Sequence, residues 1–202
     1  VELDNRKTGE KLFDYVDPRN RASQIEMEAV ATEHLKAIGA YLKPSFKSVD
    51  LKAEPFDVEA SIMIPVRNRI RTIRDAIESA LSQKTNFKFN VFIVENGPDY
   101  HSTDGTTELI DEYKNDERVI HIIPNRRDIG VGNSWNMAAH HPQCGRFIVQ
   151  LDSDDVYKDE HTLRRVVETF RKEQCAMVVG TYMMTDFNMQ PIPPGIIDHR
   201  EW

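Results

Sequence analysis

Short apolar runs alternate with longer segments of mixed polarity along most of the chain. From residue 60 onward the apolar runs have the length of β-strands, and Gly, Pro or charged residues bound them. The intervening segments place apolar residues at the three- and four-residue spacing of helices with one buried face. The strands predicted in this way are 61–65, 89–95, 119–123, 147–151 and 176–180.

Four helices are predicted between these strands. Asn133 is expected to cap the third, which runs through Ala139, and Asp159 to cap the fourth. Apolar residues at helical spacing form one face of the first, second and fourth of these helices. They are Ile70, Ile73, Ile77, Ala80 and Leu81 in the first, Leu109, Ile110 and Tyr113 in the second, and Leu163, Val166, Val167 and Phe170 in the fourth. This alternation predicts an α/β fold whose mostly parallel sheet has helices on both faces.

Residues 1–57 have a different pattern, with polar residues and prolines around a single helix. Ser23 and Glu26 form a capping box at its predicted start, and Gly39 follows its end. Its apolar stripe, which is expected to pack on other residues, consists of Met27, Val30, Ala31, Leu35 and Ile38. We predict that residues 1–57 are a helical extension or linker and that residues 58–202 form the main domain.

Polar residues concentrate where the predicted strands end. Those at the first three strand ends are Arg67 with Asn68, Glu95 with Asn96, and Asn125 with Arg126 and Arg127. Taken singly, each of them is also typical of an ordinary turn. In a parallel sheet, however, the carboxyl ends of the strands share one edge, and ligands bind there. Their concentration therefore predicts a binding site at this edge.

The fourth predicted strand ends in three carboxylates within four positions, Asp152, Asp154 and Asp155. Charges this close repel by about 1 kcal/mol per pair in water and by about 4 kcal/mol near a protein surface. A cation among them would be favoured, and oxygen ligands suit Mg²⁺ or Mn²⁺. The alternative is that one acid caps the next helix while the others are solvated. Because Asp159 can do that capping, we favour a metal or phosphate-metal site.

Charge and composition exclude several classes of protein. Acidic residues outnumber basic ones by 33 to 26, and the net charge of −7 argues against non-specific nucleic-acid binding. The apolar runs are shorter than a membrane span and the first residues do not resemble a signal peptide, so a cytoplasmic location is expected. Because the chain begins at Val1, an upstream targeting segment stays open. Cys144 and Cys175 form no CxxC pair that would indicate a zinc site.

Four stretches, in this order, resemble glycosyltransferase family 2, whose members use nucleotide sugars and have the GT-A fold. They are SIMIPVRNR, VFIVENGPDYHSTDGT, DIGVGNSWNMA and FIVQLDSDD. The last resembles the DxD motif, which holds a divalent cation on the diphosphate of the donor. In the third, Asp128 and Trp135 stand where the family usually has Asn and Arg, and Arg127 is the candidate substitute. The resemblance implies a three-layer sandwich with a Rossmann-like sheet.

The resemblance also implies a function, which is inverting, metal-assisted transfer of a sugar from a nucleoside diphosphate to a hydroxyl of a glycan or another acceptor. Asp152 and Asp154 would bind Mn²⁺ or Mg²⁺, and Glu95 would contact the base. With Arg127 as the candidate substitute, the nucleotide-sugar-binding residues that the resemblance implies are Pro65, Val66, Arg67, Asn68, Glu95, Asn96, Arg127, Gly130, Asn136, Asp152 and Ser153.

In the family the catalytic base lies well beyond the DxD strand, in the acceptor-binding half. The acids after the last predicted strand, Asp186, Asp198 and Glu201, match no motif. We therefore expect the base and the acceptor pocket to lie outside this chain, and we assign no catalytic residue. Peripheral membrane association through parts outside this chain and formation of a homo-oligomer both stay open.

Two other functions fit parts of the sequence. Without an acceptor half, the chain could be a non-catalytic fragment for nucleotide-sugar binding or assembly. A strand that ends in D-S-D-D also resembles the nucleophile motif of haloacid-dehalogenase phosphatases, but no second acidic strand end follows Asp155. A calcium loop does not fit, because Val156 and Tyr157 occupy positions that should bear ligands or a turn glycine.

Overall fold

A computed structural model of the chain describes residues 21–45, 47, 49–51, 55–96, 101–127 and 129–198. Contacts between residues divide the chain into two compact units. The larger unit is Ser48–Ala176, and the other combines Val1–Lys47 with Met177–Trp202. In chain order the elements are α1 (Arg21–Ala37), β1 (Ala60–Val66), α2 (Ile73–Leu81), β2 (Phe89–Glu95), α3 (Thr106–Asp111), β3 (Val119–Ile122), α4 (Gly130–Ala139), β4 (Phe147–Gln150), α5 (Thr162–Glu173), β5 (Tyr182–Thr185) and β6 (Pro191–Ile197).

The larger unit is built on a four-stranded sheet in the order β3-β2-β1-β4. All neighbouring strands are parallel, which confirms the predicted mostly parallel sheet. β1 lies between β2 and β4, so that Ala60 is opposite Phe89 on one side and Phe147 on the other. The carboxyl ends of the four strands therefore lie at one edge, as expected from the sequence.

Helices cover both faces of this sheet, which also agrees with the prediction. Successive side chains along a strand point to opposite faces, so β1 and β2 contribute to two cores. The core on one side combines Ile62, Ile64, Val91 and Ile93 with buried residues of α2, α3 and α5. The core on the other side combines Met63, Phe92 and Val94 with Ile129 and with Ala138 of α4.

The chain just before β4 approaches the start of β1 very closely. A Cβ atom at Gly145 would lie 2.9 Å from two backbone atoms of Ala60, so only glycine fits there. The N–H of Gly145 donates to the hydroxyl oxygen of Ser61 at 2.7 Å, and this hydroxyl donates to Oδ1 of Asn90 at 2.6 Å. Ser61 and Asn90 are both buried. A buried polar cluster therefore holds β1, β2 and β4 together at their amino ends.

Three of the predicted helix starts are wrong. α1 is already helical at Arg21, so Ser23 lies inside it. α4 begins at Gly130, and the side chain of Asn133 donates to the carbonyl of Ile129 instead of capping the helix. α5 begins three residues after Asp159, whose carboxylate accepts the N–H of His161 at 2.9 Å. Asn, Asp and Ser also hydrogen-bond to backbone outside cap positions, so their presence alone does not define where a helix begins.

The fifth predicted strand is also wrong, because residues 176–180 have no regular secondary structure. The side chains of Met177 and Val179 are exposed. An apolar run becomes a strand only where a neighbouring strand supplies hydrogen bonds, and no such partner is found in the described part of the chain. β5 and β6 instead form an antiparallel pair, and the Asp186 carboxylate accepts two backbone N–H groups in the turn between them.

The apolar stripe of α1 is not covered by any of the described residues. None of the residues of α1 is buried, and Met27 and Val30 are about three-fifths exposed. The packing expected for this stripe is therefore not found in the part of the chain that the structure describes. Across these same residues, no helix combines the length and the apolar character needed to cross a membrane.

Candidate functional site

The edge of the sheet at which the strands have their carboxyl ends is called the polar edge below. The turn after β1 is its first part. Arg67 and Asn68 are exposed there, and Asn68 has a left-handed backbone with a φ of 52°. The N–H of Asn68 donates to the hydroxyl oxygen of Ser102 at 3.1 Å, and its side-chain oxygen accepts the N–H of Thr103 at 2.8 Å. Asparagine tolerates this backbone better than most residues do. The turn after β1 is thus tied to the segment 101–107, which leads from β2 into α3.

Two further bonds join the same segments. The N–H of Arg69 donates to the hydroxyl oxygen of Thr106 at 2.9 Å, and the N–H of Ile70 donates to Asp104 at 3.1 Å. Desolvation alone would raise the pKa of the Asp104 carboxyl, but bonds from Thr106 and Ile70 hold it below its ordinary value. Asp104 is therefore ionised at neutral pH, and it fixes both the β1 turn and the start of α3.

Glu95, at the end of β2, is completely buried. Its carboxylate accepts the backbone N–H of Ser102 and the hydroxyl of Thr107, and Nε2 of His121 lies 2.9 Å away on β3. Burial acts to raise the pKa of this carboxyl, but the hydrogen bonds from His121, Ser102 and Thr107 lower it below its ordinary value. In this arrangement the carboxylate serves the segment 101–107 and not solvent.

Asn96 connects β2 to the start of α4. Its N–H donates to the carbonyl of Val66 at 2.8 Å, and its side-chain oxygen accepts the N–H of Gly130 at 2.9 Å. Gly130 has a φ of 74°, a left-handed conformation that glycine adopts without strain. Asn96 therefore connects the end of β1 through its backbone, and the start of α4 through its side chain, to the end of β2.

The acids after β4 complete the edge. Nε of Arg69 lies 3.4 Å from Oδ2 of Asp154, and both side chains are about half exposed. Asp152 is exposed and accepts a hydrogen bond from Gln150 at 2.9 Å. Ser153 is buried, and its carbonyl accepts the hydroxyl of Thr72 at 2.9 Å. The loop after β4 is thus fixed against the turn after β1, and one of its three acids, Asp154, lies beside Arg69.

The loop after β4, called the acidic loop below, concentrates the negative charges of Asp152, Asp154 and Asp155. Desolvation and then the negative charges of Asp152 and Asp154 raise the pKa of the Asp155 carboxyl above its ordinary value. The described residues contain no group of three or more His, Cys, Asp or Glu side chains arranged to hold a metal. Mg²⁺ commonly uses one or two carboxylates together with phosphate oxygens of a substrate. The residues present therefore fit a cation that a bound diphosphate helps to hold.

Not all of the predicted nucleotide-sugar-binding residues come together at the edge. The side chain of Val66 is buried in the core, and Pro65 is half buried within β1. Asn136 lies six residues along α4 from Gly130, which is about 9 Å at the rise of a helix. Arg127 is exposed in the loop after β3, and Asp128 lies outside the described residues.

Sequence reasoning missed the residues that organise the site. His121 was not singled out, although it is the one polar residue in the short apolar strand β3. It lies opposite Ile93, and Glu95 is two positions further on the same face of β2, so the pair could have been found once the register was known. Arg69 and Thr72 were also missed, since both resemble ordinary polar positions at the start of a helix.

The sequence matches a known protein family. The model of the family described as Glycosyl transferase family 2 matches residues 61–198, more than half of the chain. The chain belongs to glycosyl transferase family 2. The match covers β1 from Ser61 onward, the other three strands of the parallel sheet and every loop of the polar edge. It supports neither the phosphatase alternative nor a calcium loop.

Individual relatives agree with this family 2 assignment. An uncharacterized glycosyltransferase of Rickettsia felis is 36% identical over 105 residues, which are 52% of this chain and 16% of that protein. Chondroitin synthase of Escherichia coli is 34% identical over 141 residues, which are 69% of this chain and 19% of that protein. The family 2 chain therefore spans less than a fifth of either relative.

A solved structure shows the same fold. S. aureus TarS, residues 1–349, is 22% identical to this family 2 chain and superposes with a TM-score of 0.51 over 67% of this chain and 38% of that one. Together with the family match, this likeness confirms the expected α/β fold of the GT-A type.

Proposed function

We propose that the chain binds a nucleotide sugar and a divalent cation at the carboxyl edge of its sheet, as the donor-binding part of a glycosyltransferase. The observation that carries this proposal is the position of the acids directly after β4, at the carboxyl edge of the sheet of a family 2 chain, with Asp154 beside Arg69. The proposed reaction transfers the sugar with inversion to a hydroxyl of a glycan or another acceptor. We further propose that the protein acts in the cytoplasm.

The donor would lie across the loops that the hydrogen bonds tie together. Arg67, Asn68 and Arg127 are exposed at this edge, and guanidinium groups bind phosphate oxygens well. Asp152 and Asp154 would hold Mn²⁺ or Mg²⁺, and the bound cation would neutralise charge that develops on the departing diphosphate. Arg69 is placed to contribute positive charge at the same position.

A glycan acceptor is supported by the relatives, since the Escherichia coli protein is named a chondroitin synthase. We assign no catalytic base to the described residues. Asp186 is occupied in the turn of the β5–β6 hairpin, where its carboxylate accepts the N–H groups of Asn188 and Gln190.

The proposal is tested by calorimetric titration of the chain with nucleoside diphosphates, each with and without Mn²⁺. We expect binding that Mn²⁺ strengthens. In the variant Asp154→Asn the strengthening by Mn²⁺ should disappear while the fold is retained, because the substitution also relieves repulsion within the acidic loop. Asp57→Asn is the matched control, since it makes the same change in charge just before β1, at the opposite edge of the sheet.

Three outcomes would contradict parts of the proposal. Absence of binding to every nucleoside diphosphate would refute the donor site. Unchanged strengthening by Mn²⁺ in Asp154→Asn would refute the assignment of the metal to this loop. Transfer that retains the anomeric configuration, read from the product by NMR, would refute inversion.

A further inference from the structure

Glu95 differs from the other acidic residues of the edge in being completely buried. An ionised carboxylate has about four acceptor positions, and burying it is tolerated only when polar groups satisfy them. Three partners do so here, the N–H of Ser102, the hydroxyl of Thr107 and the ring of His121. Because an ionised carboxylate only accepts hydrogen bonds, His121 is the donor in this pair.

These bonds continue from Glu95 toward the exposed edge. The backbone of Ser102 is held by Glu95, and the hydroxyl oxygen of Ser102 accepts the N–H of Asn68. The next residue, Thr103, donates its N–H to the side chain of Asn68. A single buried carboxylate is thus connected through one segment to the exposed turn after β1.

We infer that Glu95 is a positioning residue, which shapes the donor site by holding the segment 101–107 against the Asn68 turn and does not itself contact the base. His121 orients Glu95 from β3. This inference rests on the proposed function, because it assumes that the Asn68 turn meets the nucleotide. It replaces direct contact with the base, the role that the family resemblance implied for Glu95.

Positioning and direct contact with the base predict different effects when Glu95 and Ser102 are substituted together. If Glu95 acts through Ser102, the variant Glu95→Ala already releases the segment, so removing the Ser102 hydroxyl as well costs little more. If Glu95 contacts the base directly, the losses at the two positions add. Direct contact would also make Glu95→Ala change the order in which the bases are preferred, whereas positioning lowers the affinity for all bases by the same factor.

The experiment is a double-mutant cycle with Glu95→Ala, Ser102→Ala and the double variant, measured as calorimetric affinities for UDP, GDP and ADP with Mn²⁺. We expect each single variant to bind about tenfold more weakly, and the double variant to bind no more than about threefold more weakly than Glu95→Ala. Additive losses or a changed preference among bases would overturn the inference. If the wild-type chain binds none of the three nucleotides, the proposed function fails instead.

A matched control separates positioning from general loss of stability. Asn90→Ala removes buried hydrogen bonds from the same strand, at the opposite edge of the sheet. We expect it to lower the melting temperature about as much as Glu95→Ala does while leaving nucleotide affinity unchanged. An equal loss of affinity in Asn90→Ala would overturn the inference.

A conservative variant covers the case in which Glu95→Ala does not fold. Glu95→Gln keeps an oxygen that can accept from Ser102 and Thr107, and its amide can donate to the ring of His121 in the other tautomer. We expect it to bind nucleotide within about threefold of wild type. Combined with Ser102→Ala, it should lose as much affinity as Ser102→Ala does alone. A loss of affinity in Glu95→Gln of the size expected for alanine would count against positioning by hydrogen bonds.

Discussion

Substitutions of Asn68 test how the polar edge is built, because its left-handed backbone and its side-chain hydrogen bond contribute separately to stability. Its φ of 52° lies in the left-handed region, and its side-chain oxygen accepts the N–H of Thr103 at 2.8 Å. Alanine at this position loses both the hydrogen bond and the tolerance of the backbone angle. Glycine loses only the hydrogen bond, and aspartate keeps both.

The expected magnitudes follow from these two contributions. A hydrogen bond of this kind contributes about 1 kcal/mol to the free energy of unfolding. A left-handed backbone costs a residue such as alanine about 1–2 kcal/mol, and glycine pays no such strain. Asn68→Ala should therefore destabilise the chain by about 2–3 kcal/mol, and Asn68→Gly by only about 1 kcal/mol. Asn68→Asp should remain close to wild type.

Equilibrium unfolding in urea measures these differences, and titration with a nucleoside diphosphate shows whether the turn also matters for binding. We expect nucleotide affinity to follow the same order, with alanine the weakest. If Asn68→Ala proves as stable as Asn68→Gly, the left-handed backbone is not what the asparagine supplies, and the account of the turn is wrong.

Two further predictions concern stability. Gly145→Ala should destabilise the chain by about 3 kcal/mol or more in urea unfolding, because a Cβ atom there meets the backbone of Ala60. As a control, Gly132→Ala in α4 has free space around the added Cβ atom and should stabilise the chain by up to about 1 kcal/mol. Equal effects of the two substitutions would contradict the close approach of Gly145 to Ala60. The folded pKa of Glu95 lies below its ordinary value, so its contribution to stability is present at neutral pH and is lost as the pH falls below about 4.3. The free energy of unfolding of Glu95→Gln should therefore fall less steeply in acid than that of the wild-type chain. An equally steep fall would contradict the lowered pKa of Glu95.

The fold was predictable because its strong signals are local. The alternation of apolar runs with helical periods predicted five strands of a mostly parallel sheet with helices on both faces, and the first four of these strands are confirmed. The errors occur where structure depends on a distant partner. Residues 176–180 have the composition of a strand, but composition does not say whether a neighbour is available, and Asn133 resembles a cap although α4 begins three residues earlier.

The candidate site was predictable in outline only. Parallel strands bring their carboxyl ends together, so the polar residues after β1, β2 and β4 could be assigned to one edge. Burial could not be read from the sequence, and Glu95 is therefore the informative case. Its position at a strand end suggested a contact with a ligand. Its carboxylate is instead enclosed by Ser102 and Thr107, from the segment 101–107, and by His121 of β3.

The central place of β1 in the sheet has a consequence for how the chain reaches its folded state. Its two neighbours in the sheet follow it by about 30 and about 90 residues, and pairings between such distant parallel strands form slowly. During synthesis at about 5–20 residues per second, one side of β1 stays open for several seconds until β4 emerges. Because the acids follow β4 directly, a nascent chain completes its sheet and acquires its charged loop in the same step.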